Sequence, residues 1–484
     1  MTEKILHEEN AAVNRKNVRI EADSIGTKEI PAEALYGVQS LRAKENFPMT
    51  GERMRTEMIE ALARVKKACA LANADAGALS KDKADVIAKA CDQIIHGRYH
   101  EAFIVDPIQG GAGTSMNMNA NEVIANIAIG LLGGRAGQYE LIHPNDDVNM
   151  GQSTNDVIPT AGKLACLMML NRYEKSLQEL ILSLQKKAEE FDDVLKMGRT
   201  QLQDAVPIRL GQEFDAYSSA VQRSLDRIRM VKQEMHEINL GGTAIGTCIN
   251  ADREYFFRIS SELSKETGIP FEHCSDLIDG TQNIDSFASL SGALKDSAVT
   301  LSKIANDLRL LSSGPKTGIA EIVLPAMQNG SSIMPGKVNP VIPEVVSQAA
   351  YRVIGNDVTI TCAAEAGQLE LNAFEPVVFY SLFQSIDLLT NAVNTFRINC
   401  IEGIAADRER CSELMLSSVG MATALNPLIG YTKAASLAKE ALKTGKKVTA
   451  LAVEKGYVTS EEVRKILDPY RMTKLAAYSS NHQS

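Results

Sequence analysis

LACLMMLNRYEKSLQELILSLQKKAEEF, residues 164–191, sets the expectation for the fold. Leu164, Leu167, Leu170, Leu177, Leu180 and Leu184 recur at the spacing of one helix face, with Lys, Glu and Gln between them. Stretches of the same kind cover residues 211–238, 284–312, 344–367 and 373–400, each well beyond the ~11–12 residues of an average helix. Long helices with mixed polar faces predict a mainly all-α protein built on a helical bundle, and a bundle of that length has to associate to cover its apolar stripes. Five per cent aromatic residues and no Trp fit Leu/Ile/Ala helix packing better than a sheet sandwich.

Away from these helices the pattern changes. Before residue 150 it is shorter and more broken, with turn signals at Ile30-Pro31 and Phe47-Pro48. After about 402 the charge density rises and helices shorten, as in Thr459–Leu467, where a Thr/Ser cap precedes Glu461 and Glu462. The reading is an N-terminal domain (1–150), a central long-helix domain (151–402) and a small C-terminal helical domain (403–484). No internal repeat or low-complexity segment interrupts them.

Composition narrows the function classes. The 484 residues carry 45% hydrophobic and 23% charged side chains, the balance of a soluble globular protein. A net charge of −9 argues against general attraction to nucleic acid or to an anionic membrane. The apolar run Ile124–Leu132 is too short to span a bilayer. The N-terminus lacks the apolar run of a signal peptide, and the eight cysteines lie far apart with no C-x-x-C pair. Reduced thiols in a cytoplasmic protein are therefore expected.

The chemistry concentrates in four polar stretches. Gly330-Ser331-Ser332-Ile333-Met334-Pro335-Gly336-Lys337-Val338-Asn339-Pro340 holds two glycines and two prolines, so it is a shaped loop rather than helix. Its spacing is one residue too long for a Walker loop, and Val338 stands where that motif needs Ser or Thr. Lys337 is too far from Ser331 for a penicillin-type S-x-x-K. A surface turn is the plain alternative. GGAGTSMNMNANE, residues 110–122, places Thr114 and Ser115 before a helix expected from about Asn119, a composition suited to an anion site at a helix N-terminus. Gln152-Ser153-Thr154-Asn155-Asp156 has the residues of a helix cap. Gly198-Arg199-Thr200-Gln201-Leu202-Gln203-Asp204 reads as a polar break between two long helices. His96 and His100 have helical i, i+4 spacing but no accompanying ligand set, so a solvated helix face is the reading and no metal site is expected.

Together the four stretches resemble the aspartase/fumarase superfamily over nearly the whole chain. Residues 330–339 match its signature loop G-S-S-x-x-P-x-K-x-N at every fixed position, and GGAGTSMNMNANEV, QSTNDVIPT and GRTQLQDAVPI follow its other active-site regions in order. The resemblance implies a three-domain fold and a homotetramer around a twenty-helix core, each active site assembled from three subunits. Fumarases usually read Thr-His where this chain has Thr200-Gln201, and Gln cannot titrate near neutral pH. The likeness is therefore closest to the ammonia-lyases, and the implied reaction is reversible anti elimination of ammonia from L-aspartate to give fumarate, with no cofactor.

Abstracting a proton beside a carboxylate creates a dianionic aci-carboxylate, and the site must supply donors aimed at it. By resemblance Thr114, Ser153 and Thr154 surround the β-carboxylate, Lys337 and Asn339 bind the α-carboxylate, and Asn155, Thr200 and Gln201 sit near the amino group. The family assigns the base to Ser331, and loop amides with Lys337 are the expected means of lowering its pKa. The amino group leaves already protonated, so no strong general acid is required. Arg42 is read either as a carboxylate aid or as a structural ion pair, and His143–Asp147 resembles the family's secondary site region. The rivals are a fumarate hydratase and a non-catalytic structural protein on the same fold. Retention of Ser331, Lys337, Asn339, Thr114 and Asn155 weighs against the second, and Gln201 against the first.

Overall fold

The computed structural model describes residues 17–330 and 332–473. Long helices dominate: α5 (Thr154–Glu190), α6 (Leu210–Lys232), α9 (Asp285–Leu311), α10 (Val341–Glu365) and α11 (Glu375–Asn399). The six leucines that mark α5 in the sequence are all buried, at 1% exposure or less. No described helix is long and apolar enough to cross a membrane.

The chain divides into two compact units, each built from three separate stretches. The first (1–173, 227–295 and 353–387) contains an antiparallel hairpin, β1 (Val18–Asp23) with β2 (Gly26–Pro31), where the sequence suggested only a turn at Ile30-Pro31. It also contains α1 (Val38–Asn46), α2 (Thr56–Asp75), α3 (Lys81–Ile95), α4 (Thr114–Leu131), α7 (Arg253–Thr267) and the short α8 (Asp279–Gln282). Helix α2 packs on both α3 and α7, and its Met58, Leu62, Val65 and Cys69 are all essentially inaccessible. Gly162 on α5 lets the Phe379 ring of α11 lie against the helix backbone, in the space a β-carbon would occupy. Buried carboxylates organise the entry to α1. Glu122 of α4 accepts from the amides of Gly37 (2.8 Å), Gln39 (2.9 Å) and Ser40 (3.2 Å), while Glu21 takes the Val38 amide at 2.9 Å. These are amides that a helix start leaves without internal partners.

The second unit (174–226, 296–352 and 388–484) holds the hairpin of β3 (Leu195–Thr200) and β4 (Gln203–Arg209). The polar break expected at Gly198–Asp204 is therefore a hairpin tip rather than a loop between helices. Its outer end packs on a helical cluster formed by Met415, Met421, Leu425, Leu437 and Leu451, with Met197 from β3. The helix Ser460–Ile466 begins with the expected box: Thr459 Oγ1 accepts from the Glu462 amide at 3.1 Å, and Glu462 accepts from the Thr459 amide at 2.7 Å.

A buried ion-pair network fixes the hairpin. Glu321 is fully inaccessible and receives both arms of Arg199 at 2.9 Å and Lys196 at 3.1 Å. Lys196 also reaches Glu213 at 2.9 Å. Glu321 lies beside the short strand Ile322–Val323, ahead of the 330–340 loop in the chain. Removing one partner of a buried pair strands the other in a dry interior. Glu321→Ala, which strands Arg199 and leaves Lys196 with Glu213 alone, is expected to cost roughly 3–5 kcal/mol in urea melts. Glu213→Ala, at a partly exposed carboxylate, is expected to cost about 1 kcal/mol or less.

Candidate active site

Two helix N-termini come together in the first unit. Helix α4 starts at Thr114, five residues earlier than expected, so Thr114 and Ser115 belong to its first turn rather than to a loop before it. The asparagines that suggested a loop are buried partners instead. Asn119, for example, donates to the Ala102 carbonyl and accepts from the Ile104 amide. Gly113, at φ +83°, allows the close approach, since a β-carbon there would lie 2.8 Å from Ile158 on α5. Thr114 is exposed, and its hydroxyl donates to the Gly111 carbonyl at 2.7 Å. Across the junction Asn117 Nδ2 donates to Thr154 Oγ1 at 3.5 Å. Thr114 and Thr154 are thus brought to neighbouring first turns, where helix amides favour an anion.

The start of α5 is held from three directions. Ser153 Oγ accepts from the Asn155 amide at 3.2 Å, and Asp156 Oδ1 accepts from the Ser153 amide at 2.9 Å, as in a capping box. Asp156 Oδ2 gathers the amides of Gly241 and Thr243, both at 3.0 Å, and so binds the polar turn at 241–243 to the helix start. Pro159 has no N–H to offer the carbonyl of Asn155, one turn earlier. That carbonyl accepts instead from Asn239 Nδ2 at 3.0 Å, while Asn155 Nδ2 donates to the Ala244 carbonyl at 2.7 Å. Asn155 is therefore oriented through both its backbone and its side chain. Burial raises the Asp156 carboxyl to about 6, even though three backbone amides and the charge of Lys66 favour its ionised form.

Beside Thr114 opens a concavity of about 500 Å³, lined also by Gln39, Arg42, Phe47, Ser115 and His143. Arg42 resolves as the structural ion pair: it donates to both carboxylate oxygens of Asp23 (2.8 and 3.0 Å) and to the Gly26 carbonyl at 2.9 Å. His143 Nδ1 caps the following turn by accepting from the Asn145 and Asp146 amides, and Asp147 pairs with Lys83 at 2.7 Å.

In the second unit Thr200 and Gln201 stand exposed at the tip of the β3–β4 hairpin. Thr200 pairs with Gln203, and both turn residues, Gln201 (φ 54°) and Leu202 (φ 62°), are left-handed. That turn suits a hairpin but normally selects Gly or Asn, so the tip carries backbone strain of the kind found at ligand clamps. In the 330–340 stretch the carbonyl of Lys337 fills the place where a β-carbon of Gly330 would sit, so the segment closes back on its own start. Lys337 is exposed and Asn339 half-buried. Ser331, the expected base, lies outside the described residues.

Among the described residues no group of three or more His, Cys, Asp or Glu is placed to hold a metal. Helix α3 ends at Ile95, so His96 and His100 share no helix face. Their rings bond the carbonyls of Asp92 and Ile94. All eight cysteines are free, and burial pushes the thiols of Cys69, Cys166, Cys400 and Cys411 up to about 12, which keeps them protonated.

Sequence reading missed the residues beneath the surface: Asn117, Asn239, Glu321 and the anchoring role of Asp156. Only Asp156 left a signal, as the acidic third residue after the Ser153 cap. Its ionised form is needed to accept all three amides, so activity is expected to fall as pH drops through about 6. A pH–rate profile checks this, and Asp156→Asn should be slow throughout and lack that acid limb.

A lyase family model matches residues 26–355, and a model of the fumarase C C-terminus matches residues 421–474. An aspartate ammonia-lyase of a Bacillus species is 52% identical over 457 residues, 94% of this chain and 98% of that protein. A solved fumarate lyase/delta-crystallin of Brucella melitensis is 50% identical with a TM-score of 0.92, covering 94% of this chain and 99% of its own. A class II fumarase of Schistosoma mansoni is more distant, 34% identical with a TM-score of 0.89 and the same coverage. Matched along almost its whole length in sequence and in fold, the chain belongs to the aspartase/fumarase superfamily of lyases.

Proposed function

We propose that the protein is an aspartate ammonia-lyase, a carbon–nitrogen lyase that eliminates ammonia from L-aspartate to give fumarate. The observation that carries the reading is the meeting of two helix starts that present Thr114, Ser153, Thr154 and Asn155 with no titratable side chain among them. Such a surface binds a carboxylate through neutral donors and helix dipoles, and it can hold the charge that develops when the adjacent carbon loses its proton. The neutral Gln201 and the aspartate ammonia-lyase relatives favour ammonia over water as the group eliminated.

In this reading Thr114, Ser153 and Thr154 receive the β-carboxylate, Lys337 and Asn339 the α-carboxylate, and Asn155, Thr200 and Gln201 the amino group. Ser331 takes the proton from the β-carbon. The C–H pair moves into the carboxylate, then returns to form the double bond as the C–N pair leaves with nitrogen. No bound cofactor enters these steps. The assembly belongs to the same proposal: three consecutive domains (1–150, 151–402, 403–484) and a cytoplasmic homotetramer whose sites draw on three subunits. Large apolar side chains left exposed on long helices, among them Leu182, Met230, Val299, Tyr351 and Val358, support an associating surface.

Ultraviolet absorbance at the fumarate band tests the reaction. Wild-type protein is expected to form fumarate from L-aspartate and none from L-malate, and Ser331→Ala to lose at least about a hundredfold in kcat. Fumarate from L-malate alone would make the protein a hydratase. Dilution or interface variants that yield folded monomers are expected to abolish turnover, read by light scattering beside the assay.

A further inference from the structure

Lys66, on α2, is fully buried, yet among the described residues no carboxylate forms an ion pair with it. Its ammonium donates to two neutral oxygens, Asn149 Oδ1 at 2.7 Å and Gln152 Oε1 at 2.8 Å. The nearest acid in electrostatic terms is Asp156, whose oxygens are taken by three backbone amides. The other titratable groups facing this interior are the Cys69 and Cys91 thiols and Tyr255, whose hydroxyl bonds Cys69. A buried cation without its own counterion is costly, and a well-packed apolar residue of similar volume is commonly tolerated in its place. Packing alone gives no reason for a lysine here.

The connections of Lys66 supply one. Asn149 Oδ1 also accepts from Asn117 and Asn121, both at 3.2 Å, and Asn117 reaches Thr154 Oγ1. Gln152 immediately precedes Ser153, and its own amide group ties back to the Val148 and Met150 carbonyls. The cation thus stands behind the two helix starts, which themselves present positive ends, and the local charge calls for an anion on the open side. Among the described residues the buried acceptor oxygens Asn117 Oδ1 and Asn121 Oδ1 have no hydrogen-bond partner, and no carboxylate joins them in this layer.

We propose that Lys66 is a positioning residue for the elimination: acting through Asn149, Gln152 and Asn117, it sets the Ser153–Asn155 turn and stabilises the second negative charge that forms on the β-carboxylate. This rests on the active-site reading above. The ground-state carboxylate carries one charge and the aci-carboxylate two, so a fixed cation in a dry layer favours the latter more. Burial lowers the Lys66 pKa to about 8. Its charge is present below that pH and lost above it, so the preference for the dianion should fade as pH rises through about 8.

Two ligands separate this role from a structural one. Succinate resembles the ground state, whereas the nitronate of 2-amino-3-nitropropionate has the planar geometry and the two anionic oxygens of the aci-carboxylate, beside a positive nitrogen. In Lys66→Met, nitronate affinity is expected to fall at least about tenfold more than succinate affinity, and kcat about tenfold to a hundredfold with KM changed much less. Equal weakening of both ligands, or a wild-type kcat, overturns the proposal. Wild-type protein gives the second measurement, which holds even if the variant does not fold. Corrected for ionisation of the nitro compound in solution, the ratio of nitronate to succinate affinity should decline between pH 7 and 9.5, and a constant ratio overturns the proposal. A wild type that neither forms fumarate from L-aspartate nor prefers the nitronate would instead defeat the active-site reading itself.

Discussion

Asp156 is where the first unit closes. A carboxylate taken wholly out of water must find donors, and this one finds three backbone amides, one at the start of its own helix and two in the 241–243 turn. The bond to Ser153 fixes where α5 begins, and the bonds to Gly241 and Thr243 bring a distant stretch of chain to the same place. Asn155 is then held between Asn239 and Ala244, and its orientation follows from that closure. Pro159 leaves the Asn155 carbonyl without a donor from the next turn, and Asn239 supplies one. Glu122 repeats the principle at the entry to α1, and Glu321 does so with side-chain cations at the hairpin. Three buried acids, each saturated with donors, anchor the segments that carry the exposed polar residues.

Much of this was legible in advance. Helical periodicity in residues 164–191 reports burial directly, because a face that repeats every 3.6 residues can only be satisfied by packing. The polar stretches carried the family likeness, and the structure brings Thr114 and the 153–155 turn to adjacent helix starts. Other features were silent. The hairpin at 195–209 has no Gly or Asn at its turn, and strain at Gln201 and Leu202 leaves no mark in composition. The sequence pattern places the start of α4 too late because Asn117 and Asn119 disfavour helix in isolation, while tertiary hydrogen bonds override that preference. Lys66 and Glu321 gave no signal at all: a buried charge looks like any other charge until its partners are known.

The division of labour between the layers is chemical. Residues at the open surface are neutral donors or flexible cations, suited to a ligand that enters and leaves. Behind them stand ionised groups whose partners are fixed. Low dielectric raises the worth of every such charge, so small displacements there are felt at the surface.

The turn of chain at Gly330 has a consequence for design. The carbonyl of Lys337 occupies the room a side chain would need at Gly330, so the two ends of the segment meet main chain to main chain. A library that varies 332–334 and keeps Pro335 and Gly336, the latter at φ +81°, leaves that approach and the spacing to Lys337 unchanged. Any library that admits alanine at 330, or changes the number of residues before 337, displaces the lysine before selection begins.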